Sequence, residues 1–448
     1  MHLSLAQALR LNSSVCAAFV GAGGKTTAMF QLARTLSGDR AMLPVFITAT
    51  SHLGAWQIKL ADHHIMTEIP APLEQLEHGL KGVILITGKL DHDRTQPVSD
   101  DLLNWLQQYC RYHSIPLLIE ADGSRQKPLK AWAEYEPPIP AFVELVVQVV
   151  GLAGLGKSLN DQSVHRSGGF SKLSGLKPGE PITPDSLVRV LIHMEGGLKN
   201  MPSHARRVVL LNQADTPELQ SAARGLAQAL IPAYHSVIIS SLNQARIFAV
   251  QESIAGVVLA AGESTRFGQP KQLLNWKGQP FVAAVAKTAL AAGLSPVIVV
   301  TGANAGQVEL AVKDLAVTIT KNEAWKSGQA SSIKAGILSL SAQSAEGGAI
   351  FLLADQPQVT TSIIGALVEK HAEGLYPVVA PLVLDQRANP VLFDRLTFPD
   401  LMKLEGDVGG RAIFHKHRVE YLPWHDGRLL LDVDTPEMYQ RLISDETL

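Results

Sequence analysis

The chain has 448 residues, of which 46% are hydrophobic and 18% charged, and its formal net charge is −2. That length predicts two or three domains, and the low charged fraction favours deeply buried sheets over a solvated, disordered chain. The near-neutral charge excludes a nucleic-acid footprint at the whole-chain level, and no apolar run approaches the ~20 residues that span a bilayer. Met1-His2-Leu3-Ser4 does not open a basic stretch followed by a long apolar one, so no signal peptide is expected and the cytoplasm is the expected location. Cys16 and Cys110 are the only cysteines, which excludes a disulfide framework and a cysteine-based zinc site.

Apolar runs alternate with helical patterns almost throughout, as they do in parallel sheets flanked by helices. Strands are expected over residues 15–20, 43–48, 82–86, 116–119, 145–150, 208–211 and 236–239. The pattern restarts at Ile254 with a strand and a glycine loop of its own, so the boundary is expected within 244–253. This gives domains 1–250 and 251–448.

Between the first strand and a helical pattern over 28–36 lies Gly21-Ala22-Gly23-Gly24-Lys25-Thr26-Thr27. Amides at such a helix start cradle phosphates, while Lys25 reaches the outer phosphate oxygens and Thr26 can hold Mg²⁺. The motif falls short of a full Walker A loop, because Phe19 stands where its first glycine would be. Gly151-Leu152-Ala153-Gly154-Leu155-Gly156-Lys157-Ser158 fits that pattern in full, yet the polar residues 159–166 after it do not begin a core helix. An anion there would lack the helix dipole and its amide donors, so the Lys25 loop is the expected site.

Downstream, Leu117-Leu118-Ile119-Glu120-Ala121-Asp122-Gly123 resembles a Walker B strand running into a D-x-G switch. Leu210-Leu211-Asn212-Gln213-Ala214-Asp215 resembles the N-K-x-D guanine-recognition motif of GTPases, with Gln213 in place of lysine. Ser240-Ser241-Leu242 follows the next strand, where GTPases carry a third base-contacting loop. The expected nucleotide-binding residues of this half are Gly21, Gly23, Gly24, Lys25, Thr26, Thr27, Asp122, Asn212 and Asp215, for GTP or ATP.

The second half opens with the most informative stretch, Leu259-Ala260-Ala261-Gly262-Glu263-Ser264-Thr265-Arg266-Phe267-Gly268-Gln269-Pro270-Lys271. Gly262 and Gly268 let the backbone approach phosphates closely, and Arg266 and Lys271 bring two cations to the same loop. Asp355 and Asp434 follow runs predicted as strands over 349–354 and 429–433. Either acid alone is a plausible helix start, before Thr360 or Pro436. Together they converge on the strand-end edge where open α/β sheets bind ligands, which is more than capping requires. Mg²⁺ takes oxygen ligands from one or two carboxylates plus substrate phosphates, so Asp355 and Asp434 are the expected metal ligands.

This half resembles the MobA-like nucleotidyltransferases, and most closely the molybdenum cofactor cytidylyltransferases. The likeness is carried by the glycine loop, by Asn322-Glu323-Ala324-Trp325 with Gly328, Ser331 and Ser332, and by Asp355-Gln356-Pro357. Gly406-Asp407-Val408-Gly409-Gly410-Arg411 and Leu431-Asp432-Val433-Asp434-Thr435-Pro436 complete it in the family's order. The resemblance implies transfer of CMP from CTP to molybdopterin with release of pyrophosphate. Arg266 and Lys271 would be catalytic, and Leu259, Ala260, Ala261, Gly262, Ser264, Gly268, Ser331 and Ser332 would line the nucleotide site. Leu-Ala-Ala-Gly openings resemble the cytidine enzymes of this group and Leu-Ala-Gly-Gly openings the guanine ones.

Residues 14–245 are similar to the accessory proteins of selenium-dependent molybdenum hydroxylases. The likeness rests on the Lys25 loop, Thr48-Ala49-Thr50, Glu120-Ala121-Asp122-Gly123-Ser124, Pro128-Leu129-Lys130 and Val164-His165-Arg166. It implies a molybdenum hydroxylase apoprotein as partner. The fold implied for the whole chain is α/β, with two doubly wound, mostly parallel sheets. A P-loop NTPase-like domain would precede a Rossmann-like nucleotidyltransferase domain. Ala388-Asn389-Pro390 replaces a Gly-His-Pro common near the acceptor, which leaves open a nucleotidyltransferase for a sugar phosphate or other small phosphate. A further alternative, of a different class, is a cofactor-binding chaperone without transfer activity.

Overall fold

The structure, a computed structural model, describes residues 3–11, 14–39, 44–74, 81–263, 269–341 and 347–444. The chain divides into two compact units, Met1–Gln251 and Glu252–Leu448. Ser264, Arg266 and Gly268 of the second glycine loop lie outside the described residues.

In the first unit nine strands form one sheet in the order Arg246–Glu252, Ser236–Ser241, Arg206–Asn212, Leu145–Gly151, Cys16–Gly21, Leu117–Glu120, Val45–Ala49, Val83–Thr87 and His63–Met66. Cys16–Gly21 runs parallel to both its neighbours, Leu145–Gly151 and Leu117–Glu120. It is therefore central and is buried along nearly its whole length. One face carries Ala18, Val20, Ile84, Ile86, Leu117 and Ile119, packed under Leu102, Leu103 and Leu106 of the helix Asp100–His113. The parallel order brings Gly21, Glu120, Gly151 and Asn212 to the same edge of the sheet.

The second unit has its own sheet, ordered Thr318–Lys321, Val297–Thr301, Ile254–Ala260, Gly348–Leu353, Val391–Asp394, Val378–Val383 and Gln386–Arg387, with Val419–Pro423 also paired to Val378–Val383. Successive side chains of Ile254–Ala260 alternate between two cores, as a period of two requires. Ile254, Val258 and Ala260 pack with the helices Phe281–Ala291 and Thr361–Gly374. Ala255 and Val257 pack with Ile333, Ile337 and Leu340 of Gln329–Ser341. Burial on both faces explains why such strands read as continuous apolar runs.

The sheet is mostly parallel, but Val391–Asp394 runs antiparallel to both Gly348–Leu353 and Val378–Val383. The chain reverses at Leu384 and Asp385, whose φ angles of 47° and 61° are both left-handed. A tight hairpin needs that conformation, but leucine is not a residue that advertises it.

One expected strand is absent. Residues 429–433 form the end of a 3₁₀ turn, Gly427–Leu430, and then an irregular segment. The physical reason is the buried Gln358, whose Nε2 donates to the carbonyls of Arg428, at 3.2 Å, and Leu431, at 2.7 Å. A side chain thus takes acceptors that a neighbouring strand would otherwise use.

Candidate active site and phosphate loop

In the second unit, the ends of Ile254–Ala260 and Gly348–Leu353 open into a cavity of about 570 Å³, within the ordinary range for small-molecule sites. It is lined by Leu259, Ala260, Ala261, Gly262, Lys271, Gln272, Ser332 and Asp355, among others. Gln272 braces the described start of the glycine loop, its Nε2 donating to Gly262 O at 3.0 Å. Lys271, 9% exposed, reaches across to form an ion pair with Asp434. The last segment of the chain thereby joins the first loop of the unit.

Neither acid serves as a helix cap. The helix Thr361–Gly374 starts beyond Asp355, and at Pro436–Ser444 it is the Thr435 hydroxyl that accepts from Met438 N. Burial raises the Asp355 carboxyl above its ordinary value, Lys271 opposes the rise, and Asp432 and Asp434 add to it. Lys271 and Asp355 share the cavity lining, and Lys271 pairs with Asp434. Asp432, which accepts from Gln356 Nε2 at 2.7 Å, was not among the expected ligands. Its position two residues before Asp434 in the same motif was the available signal.

Ser331 and Ser332 lie in the first turn of Gln329–Ser341. Both hydroxyls accept from Asn322 Nδ2, at 2.8 and 3.0 Å, and Ser331 also donates to Gly328 O. Ser332 reaches the cavity, while Ser331 does not line it. Gly328, at φ 104°, lies so close to the next loop that an added Cβ would sit 2.4 Å from the backbone of Gly406 and Asp407. Asp407 Oδ1 in turn accepts from Gln329 N. Two motifs far apart in sequence thus form one wall. Ala261, itself in the cavity lining, has its methyl against Gly302, where a Cβ would meet it at 2.8 Å.

In the first unit the Lys25 loop differs from the expected cradle. Gly21, Gly23 and Gly24 have φ of 95°, 83° and 124°, which only glycine adopts readily. Yet the loop's own amides are largely used within the protein: Gly21 N donates to both Asp122 carboxylate oxygens, Ala22 N to Val149 O and Gly23 N to Lys127 O. The remaining anion donors are those at the start of the helix Lys25–Asp39. Lys25 is buried, donates to Gly21 O at 2.6 Å and lies 3.2 Å from Asp122 Oδ1.

Asp122 is fully buried and also takes Lys130 Nζ at 2.8 Å and Trp132 Nε1 at 2.9 Å. Burial would raise its carboxyl, but Lys25 and Lys130 outweigh burial and hold it below the usual range. Glu120, two residues earlier, is pushed the other way by burial and by Asp122. Its Oε2 accepts from the Thr26 hydroxyl at 3.2 Å, so Glu120, not Asp122, stands beside the expected metal-holding residue. Lys130 continues the network to Glu136, which Arg166 also holds.

Asn212 spends both ends of its amide locally, donating to Gly23 O at 2.8 Å and accepting from Leu242 N at 2.9 Å. These bonds brace the loop from the end of the neighbouring strand. Asp215 is exposed and accepts from the Ser241 hydroxyl at 2.5 Å. After Lys157 and Ser158 no helix forms until Ser167–Ser174, and Gly151, the first residue of that rival motif, packs against Gly23. Among the described residues no group of three or more potential metal-ligating side chains is assembled, and no helix is long and apolar enough to cross a membrane.

Comparisons with known proteins divide at the same place as the sheets. The MobA-like NTP transferase domain matches residues 256–421, and the YqeC protein family matches residues 17–168. The chain is 33% identical over 220 residues to the "Uncharacterized protein YqeC" of Escherichia coli (strain K12), covering 47% of this chain and 80% of that protein. It is 32% identical over 199 residues to the "Nicotine blue oxidoreductase" of Paenarthrobacter nicotinovorans, covering 42% of this chain and 96% of that one. With the "Purine catabolism protein PucB" of Bacillus subtilis (strain 168) it shares 31% identity over 198 residues, 42% of this chain and 94% of the relative. The second unit is therefore a nucleotidyltransferase domain of the MobA type. The chain as a whole belongs to two families, YqeC through its first half and the MobA-like NTP transferases through its second.

The electrostatics of the cavity make a direct prediction. With burial raising Asp355 and Lys271 opposing it, the carboxyl should titrate above the usual carboxylate range, and Lys271→Met should move the midpoint higher still. Carboxyl-carbon NMR of aspartate-labelled protein measures both midpoints; an unchanged or lower midpoint in the variant would contradict the geometry.

Proposed function

We propose that the second unit transfers CMP from CTP to molybdopterin and releases pyrophosphate, with Mg²⁺ held by Asp355 and Asp434. The observation that carries this reading is the meeting of Lys271 and Asp355 in the lining of a cavity at strand ends, with Asp434 paired to Lys271. The residues fit the ion: both acids offer hard oxygen donors, and a half-buried carboxyl whose neighbours include other acids is stabilised by any cation beside it. Substrate phosphates would complete a site that the protein alone supplies with few ligands. Bound there, Mg²⁺ would neutralise charge on the triphosphate.

The attacking group is the terminal phosphate of the pterin, whose second pKa of about 6 leaves it an anion near neutral pH. Its oxygen forms a bond to the α-phosphorus of CTP while the bond to the β-phosphate breaks, and pyrophosphate departs with the electron pair. No general base is needed. Lys271, together with Arg266 of the same loop, stabilises charge gathering on the α-phosphate and the leaving group. Gly262 and the backbone around Ala260 and Ala261 bring the loop close to the phosphates, and Ser332 adds a hydroxyl to the wall. The relatives named for nicotine blue and for purine catabolism carry different activities in their names, so the acceptor rests on the resemblance of the motifs and on chemistry.

The first unit is proposed to bind GTP or ATP at residues 21–27, with Thr26 and Glu120 at the metal position and Asp215 nearest to a base. Its proposed role is in maturing a molybdenum hydroxylase apoprotein that receives the finished cofactor.

Replacing Asp355 or Asp434 with Ala should lower CTP- and molybdopterin-dependent pyrophosphate release at least about a hundredfold, since metal stabilisation is worth several kcal/mol and about 1.4 kcal/mol is tenfold in rate. Near-normal release by either variant would remove that residue from the site. Lys25→Ala should weaken GTP or ATP binding and suppress any release of inorganic phosphate from them, while Lys157→Ala changes neither. The reverse pattern would mean that residues 151–158 form the working loop.

A further inference from the structure

A cavity larger than that of the second unit lies in the first, and the roles assigned above leave it unused. It holds about 720 Å³, within the range of small-molecule sites. One wall begins at Thr26 and Thr27, where the phosphate loop enters the helix Lys25–Asp39. Hydrogen bonds from that helix fix two further walls. Arg34 donates to Leu60 O at 2.7 Å and pairs with Asp62, which ties down the 3₁₀ segment Ala55–Leu60. Gln31 Nε2 donates to Leu242 O at 2.9 Å, which ties down the turn leading into the strand Arg246–Glu252.

The lining combines aromatic surface with positive charge. Trp56, 52% exposed, and the buried Phe30 supply rings, and Leu60 and Ile247 add aliphatic surface. The indole lies against Gly54, where an added Cβ would meet Nε1 at 2.5 Å. Gly54 has φ −69° and ψ 135°, which any residue adopts, so it is the indole and not the backbone that calls for glycine there. The charged residues of the lining are Arg34, Lys59 and Arg246, and among the described residues no acid lines it. Asp62 compensates Arg34 from outside the lining, whereas Lys59 and Arg246 form no ion pair among the described residues. Arg246 lies over the Phe248 ring, 5.0 Å from its centroid, a contact that steadies the guanidinium without neutralising it.

An exposed indole beside an apolar cavity gains by stacking on another ring, and unmatched cations gain by meeting an anion. A free phosphate would leave the aromatic wall uncovered. A purely apolar ligand would leave the cations unmatched, and a cationic one would find no acid to meet. A planar ring that carries phosphate satisfies both parts of the lining. Asp215, the residue placed nearest to a base above, does not line this cavity.

We propose that this cavity binds a planar heteroaromatic ring bearing phosphate, with the ring against Trp56 and its negative charge matched by Lys59 and Arg246. Two sources share that chemistry: a nucleotide whose phosphates lie on residues 21–27, and the pterin phosphate that the second unit is proposed to use. The site goes beyond the phosphate-loop reading and stands without it, because a pterin phosphate would be held without Lys25.

The test is calorimetric binding of GTP, of ATP and of molybdopterin, each by itself, to the full chain. The variants compared are Trp56→Ala, Trp56→Phe, the double change Lys59→Gln with Arg246→Gln, and Lys25→Ala. Trp56, Lys59 and Arg246 are all exposed, so thermal unfolding should not move on replacing them. For at least one ligand, Trp56→Ala should weaken a binding event of the parent by about tenfold, as loss of ring stacking commonly does. The double charge variant should weaken the same event, and Trp56→Phe should recover most of the loss. A GTP or ATP event that Lys25→Ala also weakens identifies the ligand as a nucleotide. A molybdopterin event that Lys25→Ala leaves intact identifies it as the pterin phosphate. Unchanged affinity for all three ligands in Trp56→Ala and in the double charge variant would overturn the assignment, as would a parent that binds none of them. Weakening by Lys25→Ala alone would overturn it while leaving the phosphate loop standing. A nucleotide event weakened by Trp56→Ala and untouched by Lys25→Ala would instead overturn the phosphate loop and leave the cavity standing.

Discussion

The ion pair between Lys271 and Asp434 is the contact on which the catalytic half depends. It spans 163 residues of sequence and fastens the irregular end of the chain to the loop after the first strand of its sheet. Residues 431–435 have no strand partner, and Val433, buried with Leu274, Trp276 and Phe281, holds the segment alongside the ion pair. Gln358 and Gln356 complete the attachment, the first through main-chain carbonyls and the second through Asp432. A charged pair thus does the positioning that hydrogen-bonded strands do elsewhere in the sheet.

The first unit solves a similar problem with deeper burial. Asp122, fully buried, gathers two lysines, an indole and a glycine amide. Removing water from such a cluster is costly, and it is tolerated only where every partner is matched. Lys25, the residue best suited to a triphosphate, is held there against the sheet. Phosphate binding would therefore exchange one anionic partner of Lys25 for another, and Lys130, Glu136 and Arg166 lie along the same chain of contacts.

Much of this was legible from the residues alone. The first glycine loop was visible because glycine at left-handed φ is a local requirement, as at Gly21, Gly23 and Gly24. The strands were visible because burial on both faces leaves unbroken apolar runs such as Ile254–Ala260. What escaped depends on contacts between distant segments. Nothing local marks Gln358 as the residue that displaces a strand at 429–433, or Leu384-Asp385 as a hairpin turn that sets Val391–Asp394 antiparallel. The bonds from Asn212 to Gly23 and Leu242 likewise join segments that are far apart in sequence. Glu120 and Asp122 lie two apart in one motif, and only packing decides which of them meets Thr26.

The central claim is that the second unit joins a cytidine nucleotide to a pterin phosphate. Mass spectrometry of the products formed from molybdopterin, Mg²⁺ and an equimolar mixture of CTP and GTP tests it most directly. The account predicts molybdopterin cytosine dinucleotide as the main product. Equal or dominant guanine dinucleotide would contradict the choice of base, and unchanged molybdopterin would contradict the transfer itself.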